Sequence, residues 1–180
     1  FTDNGDCGLI VNGSGAKNWS VTGGHSGGNT NSGIRAAGGT TDFTITGHRA
    51  GNIAGRGVNN VGITVDAAAS DRYSVSGCNL LGNTSGGLVD LGTGTNCMVV
   101  DNLGYNGASS VIGLTVGASP WGYTAGHTPE TIYVLGGTVS DVKIDGNTVQ
   151  NATACTIQLM PNETMSITYS VLPTVLRKRN

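Results

Sequence analysis

Charge is scarce in this chain: Asp, Glu, Lys and Arg make up 11% of its 180 residues, and only two of them are glutamate. The residues that favour helices are thin on the ground, while glycine reaches 31, so long helices are not expected. The formal net charge of −2 leaves no broad positive footprint for nucleic acid. The basic "LRKRN" at the end reads as a solvated tail. Low charge also argues against disorder, which goes with high net charge. No apolar run exceeds a few residues, so neither a signal peptide nor a membrane span is expected. Cysteine lacks any CxxC spacing: Cys7, Cys78, Cys97 and Cys155 lie far apart, which gives zinc no ligand pattern. Cys78 and Cys97 sit at non-equivalent points of a repeat, so a disulfide is allowed but unforced, and buried free thiols are the expectation. A starting methionine is also missing and the chain opens in mid-pattern, as a piece of something longer would.

What the chain does have is a repeat. "WSVTGGHSGGN" from Trp19, "FTITGHRAGN" from Phe43 and "YSVSGCNLLGN" from Tyr73 share one skeleton, with "CMVVDNLGYN" from Cys97 a degenerate fourth copy. A second strand signal precedes each: "GLIV" at Gly8, "GIRA" at Gly33, "GITV" at Gly62, "GLVD" at Gly87 and "GLTV" at Gly113. The glycine-led series steps by 25, 29, 25 and 26 residues and the aromatic-led series by 24, 30 and 24. Both stretch at the same place, so the long interval carries an insertion. Short strands with Gly/Asn corners at this period predict a parallel β-helix, because a helical repeat would show a 3.6 period. Equivalent residues then stack at about 4.8 Å. Leu9, Ile34, Ile63, Leu88 and Leu114 should form one buried column. Val21, Ile45, Val75 and Val99 should form a second, and Trp19, Phe43, Tyr73 and Cys97 a third. Ser20, Thr44, Ser74 and Met98 should point outward. Asn29, Asn52, Asn83 and Asn106 are expected at one corner, bonding along the stack.

The repeat stops before Pro120. Beyond it "TIYVLGG", "VSDVKIDG", "TIQLMP" and "ETMSITYSV" read as short strands at hairpin spacing, with turns at Gly136-Gly137 and Asp145-Gly146-Asn147. The expected architecture is therefore all-β. About four and a half coils of parallel β-helix occupy residues 1–117, and a small antiparallel β-sandwich cap and trimerisation domain occupies 118–180. An end coil exposes unpaired edges, which a cap or a partner must cover.

These coils resemble the right-handed parallel β-helix of bacteriophage tailspikes and related polysaccharide lyases. The stretches "SPWGYTAGHTPETIYVLGGTVSDVKIDG" and "MPNETMSITYSVLPTVLRKR" are similar to the C-terminal cap of phage and prophage β-helix proteins. The resemblance implies a homotrimer on a virion tail, joined to the rest of the fibre or to other tail proteins and contacting a host cell-surface polysaccharide. No nucleic acid, membrane insertion, metal or cofactor is expected.

Glycan cleavage uses two carboxylates about 5–9.5 Å apart. The coils hold seven aspartates and no glutamate. Asp42 falls one coil below Arg72, where a surface ion pair is expected. Asp66 and Asp90 end the first strand of consecutive coils, offset by one position, and form the candidate catalytic pair; the competing reading is two turn-capping aspartates. The insertion is the stronger lead. "HRAGNIAGRGVNN" holds five residues more than the neighbouring coils, and solenoid insertions form loops that often bind ligands. His48, Arg49, Arg56 and Asn59 are the candidate glycan-binding groups, with Tyr105 for sugar stacking. Trp121 and Tyr123 are candidates for the threefold contact, since cap strands with Ile132, Val134, Ile167 and Tyr169 on one face carry Tyr133, Leu135 and Met165 elsewhere. Three functions compete: a non-catalytic receptor-binding end of a phage fibre, a depolymerase centred on Asp66 and Asp90, and a secreted bacterial polysaccharide-binding β-helix protein. The scarcity of paired acids favours the first.

Overall fold

The structure, a computed structural model, describes residues 1–66, 70–105 and 111–180, and every regular element among them is a strand. No helix of the described residues is long and apolar enough to cross a membrane. The chain divides into two units, Phe1–Gly107 and Ala108–Asn180.

The first unit contains β1 (Leu9–Asn12), β2 (Lys17–Thr22), β3 (His25–Ser26), β4 (Ser32–Ala37), β5 (Thr41–Thr46), β6 (Arg49–Ala50), β7 (Val61–Val65), β8 (Asp71–Ser76), β9 (Gly86–Asp90) and β10 (Met98–Val100). Strands β1, β4, β7 and β9 pair in parallel to form one face, β2, β5, β8 and β10 a second, and β3 with β6 a short third. The chain therefore winds a β-solenoid of about four coils. Its register is the one the repeat predicts: Leu9, Ile34, Ile63 and Leu88 lie level with one another, as do Trp19, Phe43 and Tyr73, and Val21, Ile45, Val75 and Val99. These columns form a single core. Trp19 stacks on Phe43 at 4.3 Å and Phe43 on Tyr73 at 4.9 Å, both nearly parallel. Each such pair contributes about 0.5–1.5 kcal/mol beyond its buried area.

The corners explain the rest of the repeated skeleton. Gly23, Gly47 and Gly77 follow the second-face strands with φ of 65°, 64° and 62°, a conformation costly to residues with a Cβ, and Asp101 takes the equivalent place in the fourth coil. Just ahead of the aromatics, Asn18, Asp42 and Arg72 also have positive φ. Asn and Asp tolerate this geometry, whereas Arg72 is held there by two bonds to Asp42, at 2.5 and 2.8 Å. That is the ion pair anticipated from the stacked register, and it keeps the Asp42 carboxyl down at about 2.

The asparagine corner departs from expectation. The ladder runs Asn4–Asn29–Asn59–Asn83: Asn4 donates to Asn29 at 3.1 Å, Asn29 to Asn59 at 2.8 Å, and Asn59 to Asn83 at 3.1 Å. Asn52 is exposed instead, and Asn106 lies outside the described residues. The insertion causes the difference, because it falls between Asn52 and the corner and passes the structural role to Asn59. Leu114 is a second correction. It belongs to β11 (Ile112–Leu114), which pairs antiparallel with β18 (Thr174–Arg179) of the second unit rather than stacking on Leu88. The solenoid thus has four coils, and the chain divides at Gly107 rather than at residue 117.

The second unit adds β12 (Trp121–Thr124), β13 (Glu130–Leu135), β14 (Thr138–Ile144), β15 (Asn147–Gln150), β16 (Ala154–Leu159) and β17 (Thr164–Val171) to β11 and β18. They form two four-stranded antiparallel sheets, β11-β18-β13-β16 and β12-β17-β14-β15. One core draws on both: Ile132, Val134, Ile157, Leu159 and Val175 from the first, and Val139, Val142, Met165 and Ile167 from the second. Asp145-Gly146 makes the expected two-residue hairpin between β14 and β15, with both residues at positive φ. Gly136-Gly137 does not close a hairpin. It carries the chain from β13 in one sheet to β14 in the other. Met165 shares the buried face with Ile167, two positions on, rather than facing away from the core.

Candidate functional site

The third face of the solenoid is the narrowest and the most polar. His25 of β3 lies level with Arg49 of β6, and single bridges carry the register on to Asn79 and then Leu103. Residues on either side of this column turn inward, among them Ser26, Ala50 and Leu80, all fully or almost fully buried. Alternation therefore presents His25, Arg49 and Asn79 to solvent. The inserted loop leaves directly after β6. It turns back on itself through the Ile53–Gly57 bridge, and Gly51 seats it against the next coil, where a Cβ would come within 2.0 Å of the Leu81 carbonyl.

Between the loop and the third coil lies an open groove of about 440 Å³, lined by Arg49, Asn52, Ala54, Asn79, Leu81 and Gly82. One guanidinium nitrogen of Arg49 donates to the Asn52 carbonyl at 2.9 Å, which fixes the side chain along the groove. The Asn79 side-chain oxygen accepts the Leu81 backbone N–H at 3.2 Å, and this orients its amide nitrogen as the remaining donor. Asn79 is not among the candidates that the sequence suggests. The signal was available: aligning "GHRAGN" with "GCNLLGN" puts Asn79 directly over Arg49.

Of the five residues proposed from sequence to bind glycan, Arg49 alone lines this groove. His48 is fully buried. Its Nε2 accepts the Ser26 hydroxyl at 3.0 Å while Nδ1–H donates to the Gly23 carbonyl at 2.8 Å, and burial holds the imidazole below its ordinary value. A serine hydroxyl bonded to an imidazole is the start of nucleophilic machinery only where a substrate reaches the oxygen, and Ser26 has no exposed surface. The pair is a corner hydrogen bond. Asn59 is also fully buried, in the asparagine ladder. Arg56 pairs with Asp3 at 3.0 Å across the outer side of the loop. Tyr105 is half-buried and packs on the solenoid core rather than standing free for a sugar.

The two candidate acids have separate partners. Asp66 is held by Arg35 through three contacts of 2.9–3.3 Å. Asp90 lies level with the buried Val65, one position before Asp66 in register, and turns toward the core, where it accepts the Tyr73 hydroxyl at 2.5 Å. Burial, reinforced by Asp90, pushes the Tyr73 hydroxyl far up. Consecutive positions of a strand face opposite sides, so the one-residue offset sends one carboxylate outward to a guanidinium and the other inward to a phenol. In the second unit, Trp121 and Tyr123 stack at 5.9 Å and lie half-buried against that unit's own core. The Tyr123 hydroxyl donates to Glu130 at 2.5 Å.

No family model matches this chain, and neither does any curated protein or solved structure. Its function must be read from the groove itself. Among the described residues no three His, Cys, Asp or Glu side chains converge as a metal site. The groove offers a guanidinium, the side-chain amides of Asn52 and Asn79 and one exposed leucine, which suits recognition of a polar ligand with some apolar surface.

Proposed function

We propose that this chain binds a polysaccharide without cleaving it, as part of a trimeric, tailspike-like phage fibre that attaches to a host surface glycan. The observation that carries the binding reading is the open, polar groove between Arg49 and Asn79, on a rigid stack and beside an inserted loop. The absence of cleavage is supported by the engagement of Asp66 with Arg35 and of Asp90 with Tyr73, which leaves neither placed as half of an acid pair. The phage reading rests on the resemblance of the repeat and of the C-terminal segment. The rest of the fibre or other tail proteins would be its further partners, and the virion tail its place.

The test is to incubate the protein with purified capsule or outer polysaccharide and measure both retention and release of reducing ends. Retention without release is the expected result. In an assembled fibre that does degrade glycan, Asp66→Asn and Asp90→Asn should leave turnover unchanged. A drop above about 10², the lower scale for a general acid–base group, would establish the depolymerase reading instead.

A homotrimer is part of the proposal. Trp121 and Tyr123 are half-buried against their own unit's core, and the exposed apolar side chains of the second unit include Leu135, Val171 and Leu172, exposed by 44%, 57% and 60%. Exposed apolar surface at strand ends favours a symmetric partner over solvent. Light scattering should give about three times 18.1 kDa, and a stable monomer at micromolar concentration would remove trimerisation from the reading.

A further inference from the structure

We infer that the groove beside Arg49 selects a sugar bearing a carboxylate, an inference that rests on the glycan-binding reading and names its ligand class. Guanidinium carries five N–H donors and no acceptor, and a single Arg49 nitrogen is committed, to the Asn52 carbonyl. Asn79 has its oxygen engaged by the Leu81 N–H, so the amide presents donors alone. These two residues belong to adjacent coils in direct register, which sets their backbones about 4.8 Å apart along the stack. No carboxylate lines the groove, and Asp3 of the N-terminal segment, which reaches the loop, is already bound to Arg56.

Two donor groups carried on adjacent strands in register match a ligand that only accepts. A sugar hydroxyl both donates and accepts, and the register-matched pair offers its proton no acceptor; the one side-chain acceptor at the groove is the exposed amide oxygen of Asn52, outside that pair. A carboxylate has no such need. It takes paired N–H bonds from a guanidinium fork, and charge-assisted bonds of this kind are roughly twice as strong as neutral ones. Leu81 is 52% exposed at the same groove and supplies apolar surface for the C–H face of a pyranose ring. His25, exposed and level with Arg49 on the preceding coil, extends the column in the direction a glycan chain would follow.

The experiment uses oligosaccharides of galacturonic, glucuronic and mannuronic acid, each beside its carboxyl-reduced counterpart, which differs only in bearing CH₂OH for COO⁻. For at least one pair, the acid form should bind the full chain at least about tenfold more tightly than the reduced form. That preference should vanish in Arg49→Gln, shrink in Asn79→Asp, and fall as ionic strength rises from about 0.01 to 1 M. Both residues are exposed, so unchanged circular dichroism and melting will show that the variants fold. Equal binding of acid and reduced forms, or a preference that survives Arg49→Gln, overturns the inference and leaves glycan binding standing. If no sugar of either set binds, the glycan-binding reading falls, and this inference with it.

Discussion

Asn59→Ala should cost the chain about 3–5 kcal/mol of stability, whereas Asn52→Ala should stay within about 0.5 kcal/mol. Asn59 makes four bonds with one amide. Its oxygen accepts from the backbone and side-chain nitrogens of Asn29, at 3.2 and 2.8 Å, and its nitrogen donates to Ser26 O and Asn83 Oδ1, at 3.2 and 3.1 Å. It has no exposed surface, so a methyl group in its place leaves buried donors and acceptors unpaired. Each such orphan costs about 1–3 kcal/mol, and Asn29 recovers part of the loss because its side chain also reaches Phe1 O at 3.1 Å. Asn59→Asp should be no milder, since a carboxylate cannot donate to Ser26 or Asn83. Urea unfolding followed by Trp19 fluorescence in a Trp121→Phe background will measure the difference. Equal losses for Asn59→Ala and Asn52→Ala would mean that the ladder contributes nothing specific.

That pair of substitutions also marks where the sequence was legible. Stacked columns show because a parallel solenoid places residues of equal phase in contact, so a period in sequence becomes a period in space. Leu9, Ile34, Ile63 and Leu88 follow from it directly. Counting forward from the aromatic strand misplaces the corner, because that count breaks where the loop is inserted. Counted back from the next glycine-led strand, Asn4, Asn29, Asn59 and Asn83 precede Gly8, Gly33, Gly62 and Gly87 by three or four residues. The antiparallel unit has no such period. Alternation marks its strands but not their partners, so "GLTV" could be taken for a fifth coil although its partner, β18, lies about sixty residues on. For the same reason Gly136-Gly137 reads in sequence as a hairpin turn. The site was half legible: Arg49 stands out as a cation in an insertion, but Asn79 acquires meaning only once the coils are stacked. The one-residue offset of Asp66 and Asp90 suggested nearness, and strand alternation turns that same offset into separation.

In the second unit the largest effect is expected at Glu130. Its side chain is fully buried, receives the Tyr123 hydroxyl at 2.5 Å, and lies 3.5 Å from Arg177 and 3.6 Å from Arg179. Arg177 is itself only 18% exposed, so Glu130→Ala leaves a largely buried guanidinium without its counter-charge. Breaking a buried pair from one side costs about 3–5 kcal/mol, whereas replacing both partners with apolar groups is often nearly neutral. The double variant Glu130→Met/Arg177→Met should therefore recover most of what Glu130→Ala loses. Hydrogen exchange at the Ile132 and Ile167 amides, both within this core, reads the stability of the unit separately from the solenoid. A pH series supplies an independent check. Burial, then the bond to Glu130, pushes the Tyr123 hydroxyl up to about 12, against about 10 for an unfolded tyrosine. Between those values the unfolded chain releases the proton and the folded one keeps it, so the contribution of Tyr123 is whole below pH 10 and drains away toward pH 12. The wild-type protein should lose stability more steeply than Tyr123→Phe across that window. Matching slopes, together with a loss below about 1 kcal/mol for Glu130→Ala, would show that the cluster neither anchors this unit nor sets its alkaline limit.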